Sequence, residues 1–209
     1  MQNIFESLTP AQIDAMREIG NIGAGNAATA LSGILGKTVE MTVPEIRVIP
    51  LSGVQDILGS PENPVVGGMV DLTGDMTGQV MLILGIREAY TVASLLCGRS
   101  EQNDSVGISD LTELDISALE EVTNILCGSY LSAISSLSGL NTTPSVPYMC
   151  IDMAGAMLSI IAVECGKTND CALFFETCFS EAEDAMACHF FLLPDRESYK
   201  RLMASLGVS

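Results

Sequence analysis

Apolar residues recur every three or four positions at Ile13, Met16, Ile19, Ile22, Ala27, Ala30, Leu31 and Ile34, the spacing of one buried helical face. Thr9 before Pro10 supplies a start, a capping hydroxyl followed by a residue that has no N–H to orphan, and Gly36 supplies a stop. The pattern returns at Leu119, Val122, Ile125, Leu126 and from Tyr130 to Leu137, opened by Asp115 or Ser117 and closed by Gly139. Strand-like runs follow each long helix, at about 39–43, 46–50, 65–72 and 78–84 in the first half, with Thr73-Gly74-Asp75 as the turn between the last two. The second half offers strands at about 145–152, 156–164, 171–179 and 187–193. A shorter helix closes each half, over about 88–97 and 197–206.

The two halves are copies. Displacing the sequence by 103 positions lays residues 14–44 on 117–147, so that Glu18 falls on Glu121, Asn21 on Asn124, Ile22 on Ile125, Gly25 on Gly128 and Pro44 on Pro147. A slightly larger offset lays Arg87, Glu88 and Tyr90 on Arg196, Glu197 and Tyr199. The expected fold is therefore α+β, a pseudo-twofold repeat of helix–strands–helix units with the long helices packed on an antiparallel-type sheet, either one sheet shared by both halves or two separate lobes. Residues 1–209 are read as a single domain made of two repeats, about 1–98 and 110–209, joined by a polar linker at about 98–109 that contains GRSEQNDSVG.

With 48% hydrophobic residues the chain can bury a substantial core, and no apolar run reaches the 18 or more residues of a membrane span. Segment 1–8 carries Glu6 and no basic residue, the wrong charge for a leader, so a cytoplasmic location is expected. Nine basic against twenty-six acidic residues, a net charge of −17, oppose binding to nucleic acid or to anionic lipid. Most of these charges read as a solvated surface. Seven cysteines without a Cys-x-x-Cys pair suit buried reduced thiols. Cys165, Cys171, Cys178 and Cys188 or His189 lack the paired-ligand spacing of a zinc site, and His189, in the apolar run MACHFFLL, reads as a packed, hydrogen-bonded core residue.

The chemistry lies in the repeated polar residues. Glu and Asn three positions apart emerge about 60° apart around a helix and one turn along it, so they share a face. Asn lowers helix stability, and it does so twice. Backbone-bonded asparagines and solvated glutamates would explain one copy, and duplication by itself could preserve the second. The alternative is functional: a carboxamide can hold a water in line for attack on a phosphoryl group without taking its proton, and the carboxylate can grip a cation on a substrate protein. Gly20, Gly23 and Gly25 follow G-x-x-G-x-G order with neither a preceding strand nor a following lysine, so a nucleotide loop is not supported; small residues there suit close helix packing. One histidine cannot build a Ser/His/Asp triad, and neither Cys97 nor Cys127 has a basic activator nearby in sequence.

DAMREIGNIGAGNAATALSGILGKTVEMTVP and SALEEVTNILCGSYLSAISSLSGLNTTPSVP both fit the pattern Asp or Ser, three residues, Glu, two residues, Asn, twenty-two residues, Pro. This resembles the signature of the CheC family, carried here by Asp14, Glu18, Asn21 and Pro44 and again by Ser117, Glu121, Asn124 and Pro147. The resemblance implies a phosphatase for the aspartyl phosphate of the chemotaxis response regulator CheY. Glu18, Asn21, Glu121 and Asn124 would be catalytic, each Asn positioning water and each Glu pairing with a lysine of the regulator, and Asp14, Ser117, Gly25, Gly128, Pro44 and Pro147 would support the motif. It also implies that this chain binds no cofactor or metal, that Mg²⁺ sits on the phosphorylated partner, and that the deamidase CheD is a second partner. The related CheX proteins carry one motif per chain and FliY an added C-terminal domain, so two motifs in a chain ending at Ser209 favour CheC. A non-catalytic adaptor for CheD is the competing expectation, as is a FliY- or CheX-like phosphatase. The adaptor reading has a candidate surface at Ile151-Asp152-Met153, although Asp152 reads more simply as a strand-edge aspartate.

Overall fold

The computed structural model describes residues 9–50, 57–99, 106–168, 171–181 and 184–206. The charge pattern of segment 1–8 and half of the expected linker, residues 100–105, lie outside the described residues. In chain order the elements are α1 (Pro10–Leu35), β1 (Glu40–Pro50), β2 (Pro64–Gly74), β3 (Gly78–Gly85), α2 (Ile86–Leu96), α3 (Glu113–Ser138), β4 (Thr142–Pro144), β5 (Tyr148–Met153), α4 (Ala154–Thr168), β6 (Cys171–Glu181), β7 (Asp184–Pro194) and α5 (Arg196–Ser205).

The long helices start and stop by the same devices in both repeats. Thr9 and Thr112 each accept a hydrogen bond from the backbone N–H three residues on, and the Gln12 and Asp115 side chains accept one in turn from the capping residue's own N–H, so each helix opens on a reciprocal box. Gly36 and Gly139 close them in the left-handed region at φ 62° and 73°. The second helix thus begins at Glu113, earlier than the expected opening at Asp115 or Ser117, because Asp115 serves as the N3 partner of a capping box closed by Thr112.

All the strands form one antiparallel sheet in the order β1-β6-β7-β3-β2-β4, with β5 beside β4 along β2. This order is palindromic in the repeats. β1 of the first repeat pairs with β6 of the second, while β4 and β5 of the second pair with β2 of the first. Each repeat therefore lends its first strand to the other's edge. The centre of the sheet is the pairing of β3 with β7, Gly78–Leu84 against Cys188–Pro194.

Alternation along the strands makes two cores. Val80, Leu82 and Leu84 join Phe175, Phe190 and Leu192 beneath α1, α2, α3 and α5, and Tyr130 of α3 stacks on Phe190 with ring centroids 4.4 Å apart. Met81, Ile83, Phe174 and Phe191 form the smaller core against α4. That helix is a correction, since residues 156–164 read as a strand. Its Ile and Val content favours strand, but Ala154, Met157, Leu158 and Ile161 are the buried positions, a helical spacing, and the sheet face beneath them requires a cover. Its first N–H groups find carbonyl partners in the loop before β2, Ala154 to Asn63 at 2.8 Å and Gly155 to Pro61 at 2.9 Å. At the far end of α1 the apolar pattern overreaches: Ala30 and Ile34 are exposed.

Candidate functional site

Asp14, Glu18, Asn21 and Gly25 lie at steps of four, three and four residues on α1, and all four are exposed. Ser117, Glu121, Asn124 and Gly128 form the same exposed ridge on α3. The positions between them point inward: Met16, Ile19, Gly20, Gly23 and Ala24 are buried on α1, and Leu119, Val122, Thr123, Leu126 and Cys127 on α3. Burial of one face fixes the helix rotation and leaves Glu and Asn nowhere to turn but outward. The two ridges belong to helices packed directly against each other, for a Cβ on Gly23 would meet the Tyr130 ring at 2.9 Å.

The twenty-two residues between Asn and Pro have a geometrical meaning. From Asn21 the helix runs to its cap at Gly36, about 22 Å away at 1.5 Å per residue, the chain reverses over residues 36–39, and β1 runs back from Glu40. The chain comes back beneath the motif, where a Cβ on Gly20 would meet Ile46 at 3.0 Å and Val43 at 3.3 Å. Pro44 lies where the ladder of β1 with β6 shifts register, between Thr42 and Glu45. A residue without an N–H is tolerated at such a bulge. In the second repeat the same point divides the strand altogether, Pro147 lying half-buried between β4 and β5. The prolines thus belong to the strand that supports each helix and stand apart from the exposed ridges.

Within GNIGAGN the glycines have different surroundings. Gly20 and Gly23 pack against β1 and Tyr130, as close-packing residues should. Gly25 does not: a Cβ there, or on Gly128, would meet nothing within 4 Å. Neither residue has a positive φ. A glycine in a helix interior costs about 1 kcal/mol relative to alanine, and neither packing nor conformation within the chain offsets that cost.

Two neighbours of the motif had a signal in the sequence that the motif itself masks. Arg17 forms an exposed i,i+3 ion pair with Asp14 at 3.6 Å, and the 103-residue displacement lays it on Glu120, so the second ridge carries an additional negative charge in place of a positive one. Such an exposed pair adds little to stability. Arg99, read as linker, is ion-paired with the buried Asp115 carboxylate and lies over the Tyr90 ring at 5.4 Å. Burial alone would push the Asp115 carboxyl up, but hydrogen bonds from the Thr112 backbone and hydroxyl and from Arg99 together hold it below its ordinary value.

The remaining sequence candidates lie elsewhere. His189, the single histidine of the chain, is on the α4 side of the sheet, stacked on Phe174 at 5.8 Å. It is packed as expected but not hydrogen-bonded, because its Nδ1 is buried without a partner. Burial lowers its pKa to about 4. Cys188 points to the opposite core, and burial pushes the Cys127 thiol up to about 12. Among the described residues no three of His, Cys, Asp and Glu are grouped so as to hold a metal ion. No helix among them is long and apolar enough to cross a membrane.

Each ridge can therefore present a carboxylate and a carboxamide to a large partner, without a histidine beside them. A family model described as the CheC-like family matches residues 12–47, and one described as chemotaxis phosphatase CheX matches residues 66–165. The chain is similar to a Bacillus subtilis protein named CheY-P phosphatase CheC, 34% identical over 211 residues that cover 99% of each chain. Its fold is similar to the crystal structure of Thermotoga maritima FliY, with a TM-score of 0.77 and 25% identity over 96% of this chain and 98% of that one. It also resembles a chain of the CheX–CheY–BeF3–Mg complex from Borrelia burgdorferi, with a TM-score of 0.52 and 20% identity, covering 84% of this chain and 97% of that one.

Proposed function

The chain belongs to the CheC family and is a CheY-P phosphatase, and we propose that its two Glu–Asn ridges are the catalytic sites. The observation that carries this assignment is the twofold occurrence of an exposed Glu and Asn, one helical turn apart, on the two long helices α1 and α3. In this reading the aspartyl phosphate is carried by the regulator, so the work of each site is to hold a water in line and leave the reactive acyl phosphate to do the rest. The Asn21 or Asn124 carboxamide oxygen accepts a hydrogen bond from the water while its N–H donates to a phosphoryl oxygen. Glu18 or Glu121 pairs with a lysine of the regulator and fixes the approach. Orientation supplies the acceleration, since a carboxamide takes no proton.

Mg²⁺ is assigned to the regulator rather than to this chain, where it would neutralise charge on the phosphoryl group. The two repeats act as one domain with two sites, and a cytoplasmic location is proposed on family grounds. CheD is proposed as a second partner on family grounds, to be tested by co-elution of the two purified proteins.

The test is the lifetime of a phosphorylated CheY-type regulator in Mg²⁺ buffer, with wild type, Asn21→Ala, Asn124→Ala and the double variant. Wild type should shorten it and the double variant should not, while both keep the same circular dichroism and melting point, since both asparagines are exposed. Acceleration that survives in a folded double variant would remove the water-positioning role. No acceleration by wild type, together with tight CheD binding, would favour the adaptor.

A further inference from the structure

Gly25 and Gly128 stand one turn beyond Asn21 and Asn124 on the same exposed ridges, and nothing in the chain accounts for a glycine at either place. The close packing that explains Gly20 and Gly23 is absent, and the backbone there is ordinary helix. Gly33 offers an internal comparison. It too is exposed on α1 with open space around it, but its counterpart in the second repeat is Ser136, so that position does not demand glycine twice. Across the four residues that follow each asparagine, the repeats differ at the second and third, Gly23 and Ala24 against Leu126 and Cys127; the half-buried isoleucine at the first place and the exposed glycine at the fourth are common to both.

We infer that Gly25 and Gly128 are contact-distance residues for the phosphorylated regulator: each leaves bare helix backbone beside the asparagine so that the partner's phosphate-bearing loop can descend to the water it holds. This rests on the assignment of the ridges as phosphatase sites. A methyl group on either glycine would meet no atom of this chain, but it would stand between the helix and a partner already in contact with the neighbouring asparagine and glutamate. In-line attack tolerates little displacement, and a misplacement of about 1 Å can cost about a hundredfold in rate. The glycines thus act on geometry and touch no reacting atom, which makes them positioning residues.

A loss of fit can be separated from a loss of fold because the two move in opposite directions. Gly25→Ala with Gly128→Ala, in an otherwise wild-type chain, should raise the melting temperature by a few degrees, about 2–4 °C per helix site improved. Its turnover of a chemically phosphorylated CheY-type regulator should nevertheless fall about tenfold or more. Gly33→Ala, twelve residues and about 18 Å beyond Asn21 along the helix, should show the gain in melting temperature with turnover unchanged. Full activity in the double glycine variant would overturn this inference alone, as would a lowered melting temperature, which would reveal a packing role, or an equal loss in Gly33→Ala. A wild-type protein without activity would remove the phosphatase assignment, and this inference with it.

Discussion

His189 makes the chain sensitive to mild acid, and the size of the effect follows from its place in the sheet. Its ring lies on the α4 face of the sheet, stacked on Phe174, with Nδ1 buried and unpartnered, and burial holds its pKa at about 4 against an ordinary 6.5. Between those values the unfolded chain binds a proton that the native chain refuses. The contribution is fully present above about pH 6.5 and is lost as pH falls towards about 4. The full shift corresponds to at most about 3 kcal/mol, and solvent access to the half-buried ring trims this to roughly 1–2 kcal/mol. Urea unfolding at pH 7.5 and 5.0, comparing wild type with His189→Phe, isolates it, because phenylalanine can keep the stack on Phe174 and cannot titrate. Wild type should lose about 0.5 M in its midpoint on acidification beyond whatever the variant loses. The buried carboxylate of Asp115 and the α5 cap Asp195, both held below their ordinary values, titrate below this window. Glu176 is the group that could defeat the reasoning, for it stands directly across from His189 on β6. If its carboxylate captures the imidazolium, wild type and variant will show the same pH slope and the argument from burial fails.

Gly23→Ala, unlike its exposed neighbour, should destabilise by about 1–3 kcal/mol, because the added Cβ would lie 3.2 Å from the Tyr130 Cα as well as against its ring; an unchanged melting point would show that the helices can part without cost. Asp115→Ala should cost about 3 kcal/mol in urea unfolding, since it empties the capping box of α3 and leaves Arg99 without its buried partner. Because hydrogen bonds hold that carboxyl low, its wild-type contribution is present above the ordinary carboxylate range near ~4 and disappears below it, so an Asp115→Ala difference that persists undiminished at pH 2.5 would contradict the assignment. Glu18→Gln together with Glu121→Gln should raise KM for the phosphorylated regulator more than it lowers kcat and should flatten the dependence on salt; an equal fall in kcat with KM unchanged would make the glutamates chemical rather than docking groups.

Both long helices could be read from local signals, because their starts and stops are local: Thr9 and Thr112 cap, Gly36 and Gly139 close, and a 3.6-residue period separates Met16 and Ile19 from Glu18 and Asn21. The motif residues were visible for a different reason, since an internal copy 103 positions away repeats them where composition alone is uninformative. Period failed in the run from Ala154, where β-branched residues disguised a helix, and at Ile34, where an apolar residue extends past the sheet that would have covered it.

What tertiary structure alone decided is how the copies are joined. A duplicated sequence is consistent with two lobes or with one interlocked sheet, because strand pairing depends on hydrogen-bond partners that have no local signature. Here β1 lies on β6 and β5 on β2, so each repeat completes the other's sheet, and α1 and α3 meet across Gly23 and Tyr130. The sequence by itself determined which side chains each ridge carries and that they face away from the core. Whether both ridges stand on a single support, and which glycines fill a contact and which leave one open, was decided only when long-range packing brought residues a hundred positions apart together.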